Sequence, residues 1–102
     1  MVRKAPLDDY LIETLMPDLV GHDRAPSAFL VYLKLWHAAG GPERNVQASL
    51  STLAVETGLS KSSVQAALRH LRRRTYVTSR RSAPTAIPVH VVHAPWRGRE
   101  KA

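Results

Sequence analysis

The sequence predicts one α+β domain, mostly α, with its helices first and a β-hairpin last. Three observations carry this. Apolar residues recur at helical spacing through most of residues 7–74. After Thr75 the alphabet changes to β-formers, Tyr76-Val77-Thr78-Ser79-Arg80 and then Ile87 to His93, on either side of a turn-like Ser82-Ala83-Pro84-Thr85. The chain is 102 residues long and 44% hydrophobic, which suits a single core.

The first helix is expected over Leu7–Met16, where Leu7, Tyr10, Leu11, Thr14 and Leu15 share a face and Asp8 and Asp9 occupy the first turn, favoured there by the helix dipole. Pro17 is expected to end it, and Asp18–Arg24, with Gly21, reads as a connector. A second helix runs from Pro26, suited to a first turn, to Ala39, before the stop signal Gly40-Gly41-Pro42. Only Lys34 and His37 interrupt its apolar surface within Phe29–Ala39. The apolar arc covers roughly 220°, far wider than the stripe of an ordinary surface helix. Such a helix needs two covers: the domain core, and either helix 7–16 or a second copy of the chain.

Asn45–Ser49 reads as a brief strand. Ser51 is a candidate cap for a short helix ending at Gly58, and Ser60 for the next, Lys61 to about Arg74. In the latter, Val64, Ala67, Leu68 and Leu71 form one buried stripe at i, i+3, i+4 and i+7. The opposite face holds Lys61, Ser62, Ser63, Gln65, Ala66, Arg69 and Arg72. Pro84 and Pro88 keep the hairpin tip and the start of its second strand away from central sheet positions. Ala94-Pro95-Trp96 closes the fold, and the segment 94–102 is expected to run out as a basic tail.

Charge is divided along the chain. The net charge is +7. Residues 1–45 hold five basic and six acidic groups, a net of −1, whereas residues 46–102 hold ten basic groups against Glu56 and Glu100, a net of +8. A near-neutral half joined to a strongly basic half points to one surface built for a polyanion.

Two short helices joined through a glycine turn, the second capped and basic, followed by a hairpin, resemble the winged helix-turn-helix. The resemblance is carried by Leu53-Ala54-Val55-Glu56-Thr57-Gly58-Leu59-Ser60-Lys61-Ser62-Ser63-Val64, then Ala67-Leu68 and Leu71. It is similar to the pattern of bacterial GntR-like and MarR-like transcriptional regulators and of some plasmid replication initiators, and it covers roughly residues 46–93. It implies a recognition helix at 61–74 for the major groove of double-stranded DNA, and a wing at 76–93 for the backbone or minor groove. Gln65 suits adenine, and Arg69 or Lys61 suits guanine. Ser62 and Ser63, with the first-turn N–H groups, suit phosphate, as do Arg72 and Arg73 at the helix end and Arg80 and Arg81 on the wing. Two positions depart from the pattern: Thr75 stands where a glycine often follows the recognition helix, and the tip Ser82-Ala83-Pro84-Thr85-Ala86 lacks glycine. The implied function is sequence-specific DNA binding in transcriptional regulation, without a separate effector module. The alternative is a winged-helix adaptor for protein–protein contact in a replication or segregation complex.

Other chemistries find little purchase. With no cysteine there is no disulfide scaffold, thiolate zinc site or cysteine nucleophile. His90 and His93 fall on opposite faces of a strand, His22, His37 and His70 stand alone, and no metal site is expected. No phosphate-binding loop, nucleophile elbow or carboxylate pair appears, so neither enzymatic activity nor a cofactor is expected. The longest apolar run, Ala28–Leu33, is too short to span a membrane, and the absence of a signal-like segment predicts a cytoplasmic protein. The surplus apolar arc of the second helix predicts a homodimer joined through residues 7–39, with Val31, Leu35 and Ala38 in the contact.

Overall fold

A computed structural model describes residues 5–100. Its N-terminal stretch is wider-wound than the sequence suggests. Two π-helical segments, Leu11–Leu15 and Pro17–His22, follow one another, so the helix does not stop at Pro17 and Asp18–His22 is not a loose connector. Pro17 takes the first position of the second segment, where its fixed φ suits the helix. Leu11, Leu15 and Leu19 recur every four residues and are all fully buried.

Helix α1, Pro26–Ala39, is the centre of the molecule. It ends on Gly40, whose φ of 80° only glycine adopts without strain. It packs against the N-terminal stretch, both later helices and the sheet. Of the two covers left open by the sequence, the chain's own N-terminal stretch supplies the second. Val31 and Leu35 are fully buried within one chain and Ala38 is exposed, so the contact face expected for a second copy is corrected: those two side chains belong to the monomer's core. The polar tips on α1 are also satisfied internally. Tyr32 Oη donates to the His93 carbonyl at 2.7 Å and Trp36 Nε1 to the Pro6 carbonyl at 3.1 Å.

Strand β1, Asn45–Gln47, leads to helix α2, Leu50–Thr57. The α2 cap is Ser49 rather than Ser51: the helix starts two residues earlier, and Ser49 Oγ accepts from Thr52 N–H at 3.1 Å. Gly58 makes the left-handed turn into helix α3, Lys61–Arg73, whose Val64, Ala67, Leu68 and Leu71 are buried as the stripe predicts.

Strands β2, Val77–Arg80, and β3, Val89–Val92, pair antiparallel with Val77 opposite Val92 and Ser79 opposite His90. The hairpin gains a third strand. β1 pairs on the far edge of β3, Val46 opposite His90, giving the order β1-β3-β2. Period-two alternation turns Val77, Ser79, His90 and Val92 inward.

The C-terminal segment is not a tail from residue 94. Helix α4 covers Pro95–Glu100, and Trp96 is 5% exposed. Trp96 is stacked between Tyr10 (ring centroids 4.4 Å apart) and Trp36 (6.4 Å). Its Nε1 donates to Asp8 at 2.8 Å, and Arg97 Nε and Nη2 donate to the same carboxylate at 2.8 and 2.6 Å. Asp8 therefore binds the two ends of the fold together instead of serving a helix dipole, and the Arg97 hydrogen bond lowers its pKa against the opposing effect of burial. Residues 101–102 of the expected tail lie outside the described residues.

Candidate nucleic-acid interface

The outer face of α3 is set by its inner one. Because the buried stripe faces α1 and α2, Lys61, Ser62, Gln65, Ala66, Arg69, Arg72 and Arg73 are exposed. Ser60 Oγ accepts from Ser63 N–H at 3.1 Å and lies 3.0 Å from Ser63 Oγ and 3.2 Å from Ser62 Oγ. Ser63 is half-buried in this cap and its N–H is occupied, so the first-turn donors left for an anion are those of Lys61 and Ser62.

The exposed cations fall into two groups. Lys61, Arg69 and Arg80, like the amide of Gln65, make no hydrogen bond or ion pair among the described residues. Arg72 Nη1 instead donates to Ser79 Oγ at 3.4 Å, Arg73 Nη2 lies 3.5 Å from His70 Nδ1, and Arg81 Nη1 donates to the Pro84 carbonyl at 3.0 Å. Arg81 thereby braces the wing tip.

Two hollows flank α3. One, of about 260 Å³, separates it from the wing and is lined by Gln65, Arg72, Ser79, Arg80, Arg81 and His90. All the basic wing residues singled out from the sequence meet the helix there. The other, of about 360 Å³, lies between α3 and the start of α1, and it brings Arg24 and Ser27 beside Arg69 and Arg73. Sequence reasoning passed over Arg24 and Ser27. The signal was local: a basic residue two positions ahead of Pro26, at the entrance of a helix.

Arg74 behaves differently from Arg72 and Arg73. Its guanidinium donates to Asp18 at 2.7 Å and to Asp23, and lies over the Tyr76 ring at 5.5 Å. The Asp18 hydrogen bond raises its pKa further, so it is a permanent cation neutralised inside the fold. His70 Nε2 donates to the same Asp23 at 2.8 Å. Glu43 and Glu56 are likewise paired, with His93 and Lys34. Carboxylates thus pair with Arg74, Arg97 and Lys34 and leave Lys61, Arg69 and Arg80 without an acidic partner among the described residues.

A short non-glycine turn completes the motif. Thr75 has a φ of 61°, with its N–H on the Arg72 carbonyl at 3.0 Å and Tyr76 N–H on the Leu71 carbonyl at 2.9 Å. This is the Schellman arrangement that glycine usually completes, here made by a β-branched residue.

The helix pair α2–α3, the Gly58 turn and the three-stranded sheet constitute a winged helix-turn-helix. A family model described as a helix-turn-helix domain matches residues 25–77. The chain belongs to this helix-turn-helix family. The matched span takes in α1, β1, α2, α3 and the first residue of β2. The N-terminal π-helical stretch, most of the wing and α4 lie outside it, and it singles out neither GntR-like nor MarR-like regulators. No curated protein and no solved structure matches the chain. A helix-turn-helix domain is a DNA-binding, non-enzymatic kind of module. No helix among the described residues is long and apolar enough to cross a membrane.

Proposed function

We propose that this helix-turn-helix protein binds double-stranded DNA sequence-specifically, as a transcriptional regulator, with α3 in the major groove and the wing on the adjacent backbone or minor groove. The observation that carries the reading is the separation of charge: Lys61, Arg69 and Arg80 are exposed and unpaired by any described acid, while the carboxylates of Asp18, Asp8 and Glu56 hold Arg74, Arg97 and Lys34. Gln65 and Arg69 stand on the exposed face of α3 and are assigned to base edges. Lys61, Ser62, Arg72, Arg73, Arg80 and Arg81 are assigned to phosphate, with Ser63 contributing through the cap.

Two measurements test this. Selection from a random duplex pool followed by salt titration should give a preferred site and an affinity that falls steeply with salt. Arg69→Ala should weaken the best site by about 1–3 kcal/mol and relax one base pair. Absent or salt-independent duplex binding at about 100 mM salt would favour the protein-adaptor reading instead. Self-association through residues 7–39 belongs to the same proposal on narrower grounds: Leu7, Ile12, Val20 and Leu30 expose between 38% and 45% of their surface. Two copies would present two recognition helices to an inverted repeat. Sedimentation equilibrium showing an 11.3 kDa species alone, with and without DNA, overturns that part.

A further inference from the structure

His90 is fully buried, at 1% exposure, and it lies directly beneath the proposed interface. Its hydrogen bonds have a fixed direction. Nε2 faces the Ala48 carbonyl at 3.1 Å, and a carbonyl only accepts, so Nε2 carries the proton. Nδ1 of the neutral ring is then an acceptor, and its partner at 2.8 Å is the hydroxyl of Ser79, the residue opposite His90 in the β2–β3 register. With its proton committed to His90, Ser79 Oγ presents lone pairs outward, and a guanidinium only donates. Arg72 Nη1 meets that oxygen at 3.4 Å. The run Arg72→Ser79→His90→Ala48 therefore joins α3, β2, β3 and the end of β1, with each group used in its single available sense.

We propose that His90 is a positioning residue for nucleic-acid binding: acting through Ser79, it holds the Arg72 guanidinium at the mouth of the cleft between α3 and the wing. His90 is too buried to touch a ligand itself. Its contribution is to fix, before DNA arrives, the spacing between a cation of the recognition helix and the wing cations Arg80 and Arg81. An arginine ordered in advance loses less side-chain freedom on binding, an advantage on the order of threefold to tenfold in affinity. The groups facing the ring agree with its neutral state: burial lowers its pKa, opposed by the Ala48 carbonyl and reinforced by the nearby charges of Arg72 and Arg81.

The inference rests on the DNA-binding reading, and a double-mutant cycle separates the two. Affinity for a fixed duplex is measured at constant salt for the wild type, Ser79→Ala, Arg72→Ala, the double variant and Ser79→Thr. Ser79→Ala should weaken binding about threefold to tenfold, Arg72→Ala at least as much, and the double variant no more than Arg72→Ala alone. Ser79→Thr, which keeps the hydroxyl, should bind like the wild type. His90→Gln can bring its amide NH2 to the Ala48 carbonyl, where histidine Nε2 stood, but it has no atom at the Nδ1 position beside Ser79, and it should match Ser79→Ala. Should His90→Gln fail to fold, the Ser79/Arg72 cycle decides alone. Independent, multiplying effects, or an unchanged affinity on Ser79→Ala or Arg72→Ala, overturn the relay while leaving the DNA reading intact if Arg69→Ala still weakens binding. A wild type that binds no duplex overturns both.

Discussion

Replacing Asp23 by asparagine probes how the N-terminal stretch is fastened to the end of α3. Asp23 is 7% exposed and takes hydrogen bonds from His70 at 2.8 Å, from His22 at 3.0 Å and from Arg74. Burial alone would raise its pKa, but the hydrogen bonds from His22 and His70 and the charge and hydrogen bond of Arg74 outweigh it and bring the value from 3.8 to about 2. At about 1.4 kcal/mol for each tenfold change in proton affinity, the charged form is worth about 2 kcal/mol to the folded state. A depressed folded pKa gives stability that is complete above the unfolded value and is lost as pH falls toward the folded one. The wild type should therefore exceed Asp23→Asn by about 2 kcal/mol at pH 6, or roughly 10 °C in Tm for a domain of this size, and the gap should close between about pH 5 and pH 2. Paired urea melts across that range give the difference directly and cancel the parallel contribution of Asp8. A gap that stays constant with pH would show that the carboxylate's charge is not what holds Arg74 and His70.

Three further outcomes are expected. Thr75→Gly should stabilise the fold by about 0.5–1 kcal/mol, since relief of a left-handed β-branched residue exceeds the added chain entropy; a loss in thermal melts would show that the 2.6 Å bond from Thr75 Oγ1 to the Arg74 carbonyl matters more. Trp96→Ala should cost about 3–5 kcal/mol in urea unfolding, while Trp96→Phe, which keeps a ring between Tyr10 and Trp36 but loses the bond to Asp8, should cost about 1 kcal/mol; equal losses would refute the stacking account. Arg80→Ala should make the salt dependence of DNA binding shallower by about one unit without affecting the loop, whereas Arg81→Ala should also speed amide exchange across residues 82–86; unchanged exchange would remove the brace assigned to Arg81.

The α2–α3 pair was legible because its signals are local: a serine cap, a glycine at the turn and a stripe of Val64, Ala67, Leu68 and Leu71 that a single helix defines. The inward face of α3 then determined its outward one, so the exposure of Lys61, Gln65, Arg69 and Arg72 followed from periodicity. What escaped the sequence depended on partners far along the chain. Nothing near Asp8 announces Arg97, so a dipole-stabilising acid was the local reading of a side chain that is a fastening, and nothing near Asp18 announces Arg74. The wide apolar arc of α1 correctly demanded two covers. Choosing between an intramolecular and an intermolecular one required knowing that Pro17 begins a second helical segment instead of stopping the first, which brings Leu19 into the core. The spare donors and acceptors of Ser79 and His90 became meaningful only once β2 and β3 were in register.

The stack of Tyr10, Trp96 and Trp36 also sets the order in which the molecule can be completed during synthesis. The Asp8–Arg97 pair spans 89 residues of chain. A ribosome adding about 5–20 residues per second leaves the first segment without its aromatic lid for roughly 4–18 s after it is made. By the end of that interval every local element of the helix-turn-helix has been made, while Tyr10 and one face of Trp36 are still bare. The part produced first is the part sealed last, and a stop a few codons short of Trp96 would leave a chain with α2, α3 and the wing complete but an open apolar flank, a substrate for chaperones and proteases.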